Sequence, residues 1–106
     1  MYTIIFLERA IKEANNAFLY YEKEQMGLGK KFETNLYKAI FYIEKNPLHF
    51  RIIKNNIRQL LITKFPYVII YRIVRNKIYI QSIFHTSRNP KRKLKYTLEL
   101  TKMSEN

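Results

Sequence analysis

The feature that most constrains the fold is a stretch of β-forming sequence over residues 57–90. It holds three runs of six to nine residues that are rich in Val, Ile, Tyr and Phe, the residue types enriched in strands. The runs are separated at Phe65-Pro66 and at Arg75-Asn76, where turn-forming residues stand. Runs of this length with such short breaks predict a three-stranded antiparallel meander over residues 57–85.

The last two strands of the meander have a predicted register. A two-residue turn sets Val74 opposite Lys77, with Asn76 adopting the positive φ that such turns require. One face is then almost wholly apolar, predicting a cover of helices. This face carries Tyr67, Ile69, Tyr71, Ile73, Ile78, Ile80, Ser82 and Phe84. The other face carries Val68, Ile70, Arg72, Lys77, Tyr79, Gln81, Ile83 and His85. We predict that this mixed face is open to a ligand, although antiparallel sheets commonly have one solvated face in any case.

Before the meander, the sequence predicts a short strand and a helical hairpin. Residues 1–6 form an apolar run that is typical of an edge strand. Apolar residues at spacings of three and four then predict two helices within residues 7–46, separated at Gly27 and Gly29 and ended at Asn46-Pro47. The two apolar stripes consist of Leu7, Ile11, Ala14, Phe18 and Tyr21, and of Phe32, Leu36, Ala39, Ile40 and Ile43. Such an αα-hairpin can cover the apolar face of the sheet.

Two further segments complete the predicted architecture. Residues 49–56 are interpreted as a basic connector that extends the first strand of the meander. Residues 89–106 begin with Asn89 and Pro90, which suit a helix start, but positive charge crowds the first turn that follows. A short basic C-terminal helix or tail is therefore expected. The whole chain predicts a single domain of the α/β (α+β) class.

The charge of the chain is large and lies mostly in its C-terminal half. The formal net charge is +12. Residues 1–46 hold seven Lys or Arg against six Glu, whereas residues 47–106 hold thirteen against two, with no acidic residue between Glu44 and Glu99. A one-sided positive field predicts a polyanionic partner, either nucleic acid or an acidic protein. A general role in solubility is the alternative explanation.

The residue types that are missing exclude several kinds of chemistry. The chain has no Cys and no Asp, and only two His. We therefore predict no disulfide framework, no metal site and no cofactor. The glycine-lysine segment at residues 27–31 lies between two helices, which indicates a turn rather than a phosphate-binding loop. No signal peptide or membrane span is recognisable, so a cytoplasmic protein without a membrane partner is expected.

Metal-independent cleavage of RNA remains possible, because the 2′-OH is an internal nucleophile. This reaction needs an acid, a base and cations near the phosphate. The candidate catalytic residues are His85 at the end of the last strand and Arg88 in the loop after it, although a histidine at a strand end can equally be structural. The turn at Pro66 allows two loop lengths, and each places Arg58 on a different face of the sheet. The sequence therefore does not decide which face carries Arg58. The candidate nucleic-acid-binding or target-binding residues are Arg58, Lys64, Arg72, Tyr79, Lys91, Arg92, Lys93 and Lys95.

Three motifs in the second half of the chain follow a recognisable pattern. They read Ile57-Arg58-x-Leu60, Lys64-Phe65-Pro66-Tyr67-x-Ile69-x-Tyr71 and Ile83-Phe84-His85-x-Ser87-Arg88-x-Pro90. The helical half adds Tyr20-Tyr21, Gly27-Leu28-Gly29 with Phe32, and Asn46-Pro47. Together these residues resemble the RelE/ParE superfamily of toxins from bacterial type II toxin-antitoxin modules, often described as plasmid-stabilisation proteins.

The resemblance implies a function as well as a fold. It implies a toxin around which an antitoxin wraps, which we expect to be acidic and partly disordered. The toxin would arrest growth either by cleaving mRNA on the ribosome or by inhibiting DNA gyrase. A non-toxic basic nucleic-acid-binding module is the alternative outside the superfamily.

The resemblance also bears on the site residues. In the ribonuclease members three cations stand near the positions of Gln59, Leu61 and Val68, so this chain lacks them. Arg88 falls on the arginine that follows the last strand in the superfamily. His85 lies where some ribonuclease members have a catalytic histidine.

Overall fold

The computed structural model describes residues 1–87, which form two helices and a five-stranded sheet. The elements in chain order are β1 (Thr3–Phe6), α1 (Glu8–Glu24), α2 (Leu28–Lys45), β2 (Arg51–Lys54), β3 (Ile57–Leu61), β4 (Tyr67–Val74) and β5 (Lys77–His85). The predicted sequence of short strand, helical hairpin and antiparallel meander is confirmed. The predicted C-terminal helix or tail of residues 89–106 lies outside the described residues. Neither helix of the described part is long and apolar enough to cross a membrane.

The sheet has five strands, one more than predicted. The prediction was three strands in the meander and one at the N-terminus. Its order is β1-β5-β4-β3-β2, with β1 parallel to β5 and every other pair antiparallel. The prediction that residues 49–56 extend the first meander strand was wrong, because Asn55 adopts a positive φ of 49° and the chain reverses there. Residues 51–54 therefore form a separate edge strand, in which Arg51 pairs with Gln59.

The turn between β4 and β5 sets the predicted register. Val74 lies opposite Lys77, as expected. The positive φ of this turn, 57°, falls on Arg75 and not on Asn76 as predicted. The register is therefore confirmed, whereas the assignment of conformations within the turn was wrong.

A β-bulge interrupts the pairing of β4 with β5. Tyr71 lies opposite Ile80, but the preceding residue Ile70 lies opposite Ser82. Gln81 is therefore left without an opposite residue. Because successive side chains in a strand point to opposite faces, one extra residue exchanges the faces of the residues that follow it.

The bulge overturns the predicted faces of the last residues of β5. Ile83 packs in the main core beneath the helices, and His85 lies opposite Tyr67, which belongs to that core. Phe84 packs instead in a second cluster that includes Val68. The predictions that Ile83 and His85 share the ligand face, and that Phe84 faces the helices, were wrong because of this one-residue shift.

The two sides of the sheet can now be defined. The helix-covered face packs against α1 and α2 and contributes Leu60, Tyr67, Ile69, Tyr71, Ile78, Ile80 and Ile83 to the main core. The opposite side, here called the second face, carries Ile57, Gln59, Leu61, Val68, Ile70, Arg72, Tyr79 and Phe84. No helix within residues 1–87 packs on the second face.

The helices cover the sheet with different kinds of surface. The predicted stripe of α2 is confirmed, since all of its members are buried. They are Phe32, Leu36, Ala39, Ile40 and Ile43. In α1 the buried positions are Ala10 and Ala17, whereas Ile11 of the predicted stripe is exposed. Ala14 and Tyr21 of the predicted stripe pack against the main core, so the prediction is confirmed for these two positions and wrong for Ile11.

Glu22 and two glycines form the junction between the helices. The Glu22 carboxylate accepts the backbone N–H groups of Gly27 at 3.0 Å and Gly29 at 3.1 Å. Gly27 has a φ of 88°, a value that residues with a Cβ rarely adopt. A Cβ at Gly29 would lie 2.6 Å from the carbonyl oxygen of Phe18. The glycines therefore allow both the tight turn and the close contact of α1 with α2.

Candidate functional site

Three uncharged residues lie side by side on the second face. Leu61 is directly opposite Val68 across β3 and β4, and Gln59 lies two residues before Leu61 on the same side. Val68 is buried in an apolar cluster with Ile57, Ile70 and Phe84, whereas Leu61 is largely exposed. These are the positions near which the sequence comparison expected cations in a ribonuclease. The structure brings the three positions together without any charge among them.

Buried polar atoms without partners lie close to these residues. They are Oε1 of Gln59, Nε of Arg72 and both amide atoms of Gln81, none of which has a hydrogen-bond partner among the described residues. Only 1% of Gln81 is exposed. An unpaired buried polar group costs about 1–3 kcal/mol, so most such groups in proteins are paired. The sequence placed Gln81 on the face predicted to be open to a ligand, but neither Gln59 nor Gln81 was among the predicted site residues, because a glutamine in a strand has no distinctive pattern.

Arg72 and Tyr79 form the cationic part of the second face. They lie opposite one another across β4 and β5, as the predicted register required. The guanidinium carbon of Arg72 is 5.5 Å from the centroid of the Tyr79 ring, a cation–π contact. Both side chains are half-buried. Their contact holds a positive charge in a fixed place on this face.

Arg58 lies on the other side of the sheet from Arg72. It lies opposite Tyr71 of the main core, so Arg58 belongs to the helix-covered face. The sequence alone did not decide between the two faces. Its Nη1 donates to the carbonyl oxygens of Leu48 at 3.1 Å and Phe50 at 2.7 Å. The guanidinium therefore holds the chain that enters β2, and part of its hydrogen-bonding capacity is taken by the protein itself.

Contacts with Ser87 and Tyr67 help to hold His85 in place. Its Nδ1 accepts the backbone N–H of Ser87 at 3.1 Å, and its ring packs edge-on to Tyr67 with the centroids 4.9 Å apart. Tyr67 belongs in turn to an aromatic cluster with Tyr21, Phe32 and Phe65, in which the centroids of neighbouring rings are 4.9 to 6.1 Å apart. His85 is therefore part of the edge of the aromatic cluster on the helix-covered face.

The candidate residues of the sequence analysis are dispersed over the described residues. His85 lies opposite Tyr67 at the start of β4, whereas the Arg72–Tyr79 pair lies near the end of that strand. The two positions are five residues apart along β4, or about 17 Å at 3.3 Å per residue. Lys64 is exposed in the β3–β4 connection with a φ of 69°. The remaining predicted cations, Arg88, Lys91, Arg92, Lys93 and Lys95, lie outside the described residues. The structure thus joins Arg72 with Tyr79 and separates both from His85.

The fold of a helical hairpin on a small, mainly antiparallel sheet is shared with solved toxin structures. One, described as the chromosomal ParDE TA system from P. aeruginosa, has a TM-score of 0.73 and 14% sequence identity, and the match covers 82% of this chain and 98% of that one. Another, the isolated E. coli RelE toxin, has a TM-score of 0.63 and 16% identity, and the match covers 97% of this chain and 99% of that one. At these identities the likeness concerns the fold alone.

The sequence itself identifies the family within this class of toxins. Residues 4–90 match the model of the ParE toxin of the type II toxin-antitoxin system, parDE. No match was found among the curated proteins. Because the family model spans most of the chain, this protein belongs to the ParE toxin family of type II toxin-antitoxin systems.

Proposed function

We propose that this toxin arrests growth by inhibiting DNA gyrase, and that it is not a ribonuclease. The observation that carries the proposal is the uncharged group of Gln59, Leu61 and Val68 on the second face. Cleavage of a phosphodiester places extra negative charge on the phosphorane, which cations must stabilise. A buried valine and an exposed leucine at these positions cannot do so. The same surface is suited to binding a protein, because it combines apolar side chains, among them the exposed Leu61, with the half-buried Arg72–Tyr79 pair.

The separation of His85 from the Arg72–Tyr79 pair supports the same proposal. General acid-base catalysis requires the acid or base within hydrogen-bond reach of the substrate while the cations contact the phosphate. His85 is about 17 Å along β4 from Arg72 by strand geometry and lies on the opposite face. A toxin that inhibits gyrase by binding to it does not need an acid or base and cations at one place. The toxin would act in the cytoplasm and be held inactive there by its cognate antitoxin.

The order in which macromolecular syntheses stop tests the proposal. The gene is induced alone in bacteria, and incorporation of labelled thymidine and labelled methionine is followed over the first minutes. We expect DNA synthesis to stop first, and the purified toxin to inhibit supercoiling by purified gyrase. If protein synthesis stops before DNA synthesis and the mRNA is cleaved, the toxin acts by ribosome-dependent mRNA cleavage and not on gyrase. Undisturbed growth with a folded, expressed protein would favour the non-toxic nucleic-acid-binding module.

The same strain carrying His85→Gln separates the two toxic mechanisms further. A binding toxin keeps its toxicity when this imidazole is replaced, whereas a ribonuclease that uses it as acid or base loses a factor on the order of 10² to 10⁴ in rate. His49→Gln is the matched control, because His49 is the exposed second histidine of the chain. Circular dichroism shows whether each variant is folded. A folded His85→Gln protein without toxicity would contradict the proposed mechanism.

A further inference from the structure

A cleft of about 460 Å³ lies where the first two turns of α2 meet the β3–β4 connection. Lys30 and Lys31 line it from the helix, and Lys64 lines it from the connection. Thr34 and Phe65 add a hydroxyl group and an aromatic ring. No carboxylate is among its described lining residues. The cleft is therefore a small concave surface with three positive charges around it, on a part of the molecule separate from the second face.

The walls of the cleft are fixed in place. Asn35 of α2 donates from Nδ2 to the carbonyl oxygen of Thr63 at 2.8 Å, which ties the connection to the helix. The Phe65 ring packs edge-on to Tyr21 and Phe32, with centroids 4.9 Å and 5.2 Å apart. Lys64 itself has a φ of 69°, a conformation that costs a lysine about 1–2 kcal/mol. The backbone that carries Lys64 is thus held beside α2 by contacts on both sides.

The positive charge of the cleft comes from the lysine side chains and not from the start of the helix. The Glu22 carboxylate already accepts the N–H groups of Gly27 and Gly29, so these amides are not available to an anion. Lys30 contacts Glu33 at 3.7 Å, but Lys30 is well exposed and Glu33 partly exposed, and pairs open to solvent are weak. Lys31 and Lys64 form no ion pair with the described residues. Three ammonium groups can therefore turn toward one ligand.

We propose that this cleft binds a phosphate group of a nucleic-acid strand. Ammonium groups are compact point charges with three donors each, and they bind phosphate oxygens from several directions. A phosphate concentrates its charge in a volume that the cleft can hold, and the Thr34 hydroxyl adds a neutral donor. The carboxylates of an acidic peptide are distributed along an extended chain and suit the wider basic surface better than one small cleft. The inference does not depend on the proposed gyrase target.

Binding of a labelled oligonucleotide to the full-length protein tests the inference. Fluorescence anisotropy of a 12-nucleotide single-stranded DNA is measured at several salt concentrations for the wild type and for the triple variant Lys30→Gln, Lys31→Gln, Lys64→Gln. Each phosphate contact contributes about 0.7 to the slope of log K against log salt for single strands. Because the cleft holds one phosphate, we expect the triple variant to lose about 0.7 from the magnitude of this slope. All three lysines are exposed, so the variant should unfold at the same temperature as the wild type.

A charge-matched variant separates the cleft from the general positive field. Lys12→Gln, Lys45→Gln, Lys54→Gln removes the same charge from exposed positions that do not line the cleft. We expect it to keep most of the wild-type slope, and millimolar inorganic phosphate to displace the oligonucleotide from the wild type. Equal losses in the two triple variants would leave only a diffuse field and overturn the proposal. Tighter binding of poly-glutamate than of DNA, lost in the cleft variant alone, would assign the cleft to an acidic peptide instead.

Discussion

Tyr71 connects the helical half of the chain to the sheet through a single buried hydrogen bond. Its hydroxyl donates to the carbonyl oxygen of Pro47 at 2.7 Å, and the side chain has no exposed surface. Burial disfavours the charged phenolate and raises the pKa of Tyr71 to about 12, although the positive charge of Arg58 acts in the opposite direction. At neutral pH the tyrosine is therefore a neutral donor that holds the end of α2 against β4.

Replacing Tyr71 by Phe should lower the free energy of unfolding by about 1–3 kcal/mol, because the buried Pro47 carbonyl loses its donor. The deficit should shrink as the pH rises. The folded-state pKa lies above the ordinary value of 10, so the contribution of Tyr71 is complete below pH 10 and is lost toward pH 12 as the unfolded tyrosine ionises. Urea unfolding at pH 8, 10 and 11 measures the effect. Tyr37→Phe is the control, since Tyr37 is 58% exposed, and a deficit for Tyr71→Phe that does not change with pH would contradict the argument.

His85 and Arg72 show how much of the candidate site could be predicted from the sequence. His85 followed a pattern that could be predicted from the sequence, a histidine at a strand end before a basic loop. Its surroundings could not, because they depend on which rings it meets after folding. The contacts with Tyr67 and the Ser87 amide place the ring at the edge of the aromatic cluster. Arg72 with Tyr79 was the part of the candidate site that the register alone could predict.

At the scale of elements, periodicity predicted the helices and strands but could not predict the bulge in β5. After Gln81 and Ser82, the strand places apolar side chains on both faces of the sheet, as Ile83 and Phe84 show. A period-two pattern reveals a slip only where one face is polar, so the extra residue Gln81 leaves no trace in the sequence. The edge strand β2 was missed for a different reason. Its turn rests on Asn55 adopting a positive φ within a stretch that is otherwise basic and irregular.

The helical hairpin gives a prediction in which two glycines behave differently. Gly29→Ala should destabilise the protein by about 1–3 kcal/mol, because the new Cβ would lie 2.6 Å from the Phe18 carbonyl oxygen in the backbone of α1. Gly27 faces open space but has a φ of 88°. Gly27→Asn should therefore cost little, since asparagine tolerates this conformation, while Gly27→Ala should cost about 1 kcal/mol.

Thermal unfolding of the three glycine variants measures these differences. The steric contact at Gly29 and the positive φ at Gly27 are distinct causes of destabilisation. We therefore expect Gly27→Asn to be the most stable variant, Gly27→Ala the next and Gly29→Ala the least stable. Alanine favours a helix over glycine by up to about 1 kcal/mol, which works in favour of Gly29→Ala. A Gly29→Ala protein as stable as the wild type would show that α1 and α2 can move apart without loss, contrary to the close contact described here.

At the scale of the whole molecule, the helices cover one side of the sheet and leave the other to carry the candidate site. The asymmetry of charge along the chain could be read from the sequence, and the RelE/ParE superfamily could be predicted from its motifs. The three-lysine cleft could not, because it joins Lys30 and Lys31 of one element with Lys64 of another. Only the packing of α2 against the β3–β4 connection brings these charges together.

The same combination of charge and exposed apolar groups leads to a prediction about the antitoxin. The formal net charge is +12, and Leu61 and Ile52 are about half exposed on neighbouring strands of the sheet. An acidic segment that folds on the toxin can neutralise the charge while it buries apolar area. Co-expression with the adjacent small reading frame should therefore yield a stable complex. Calorimetry should show a negative heat-capacity change on binding, the mark of apolar burial.

Salt separates the two contributions to antitoxin binding. Raising the salt from 0.1 M to 1 M shortens the Debye length from about 10 Å to about 3 Å, so the electrostatic part of the affinity is screened. Apolar burial is not screened, and the complex should weaken without dissociating. Replacing Leu61 by Asp should then weaken the complex at high salt far more than replacing the exposed Leu19 of α1 by Asp. A basic neighbour, or a complex that salt dissolves completely, would refute a mixed apolar and electrostatic interface and leave charge as its sole basis.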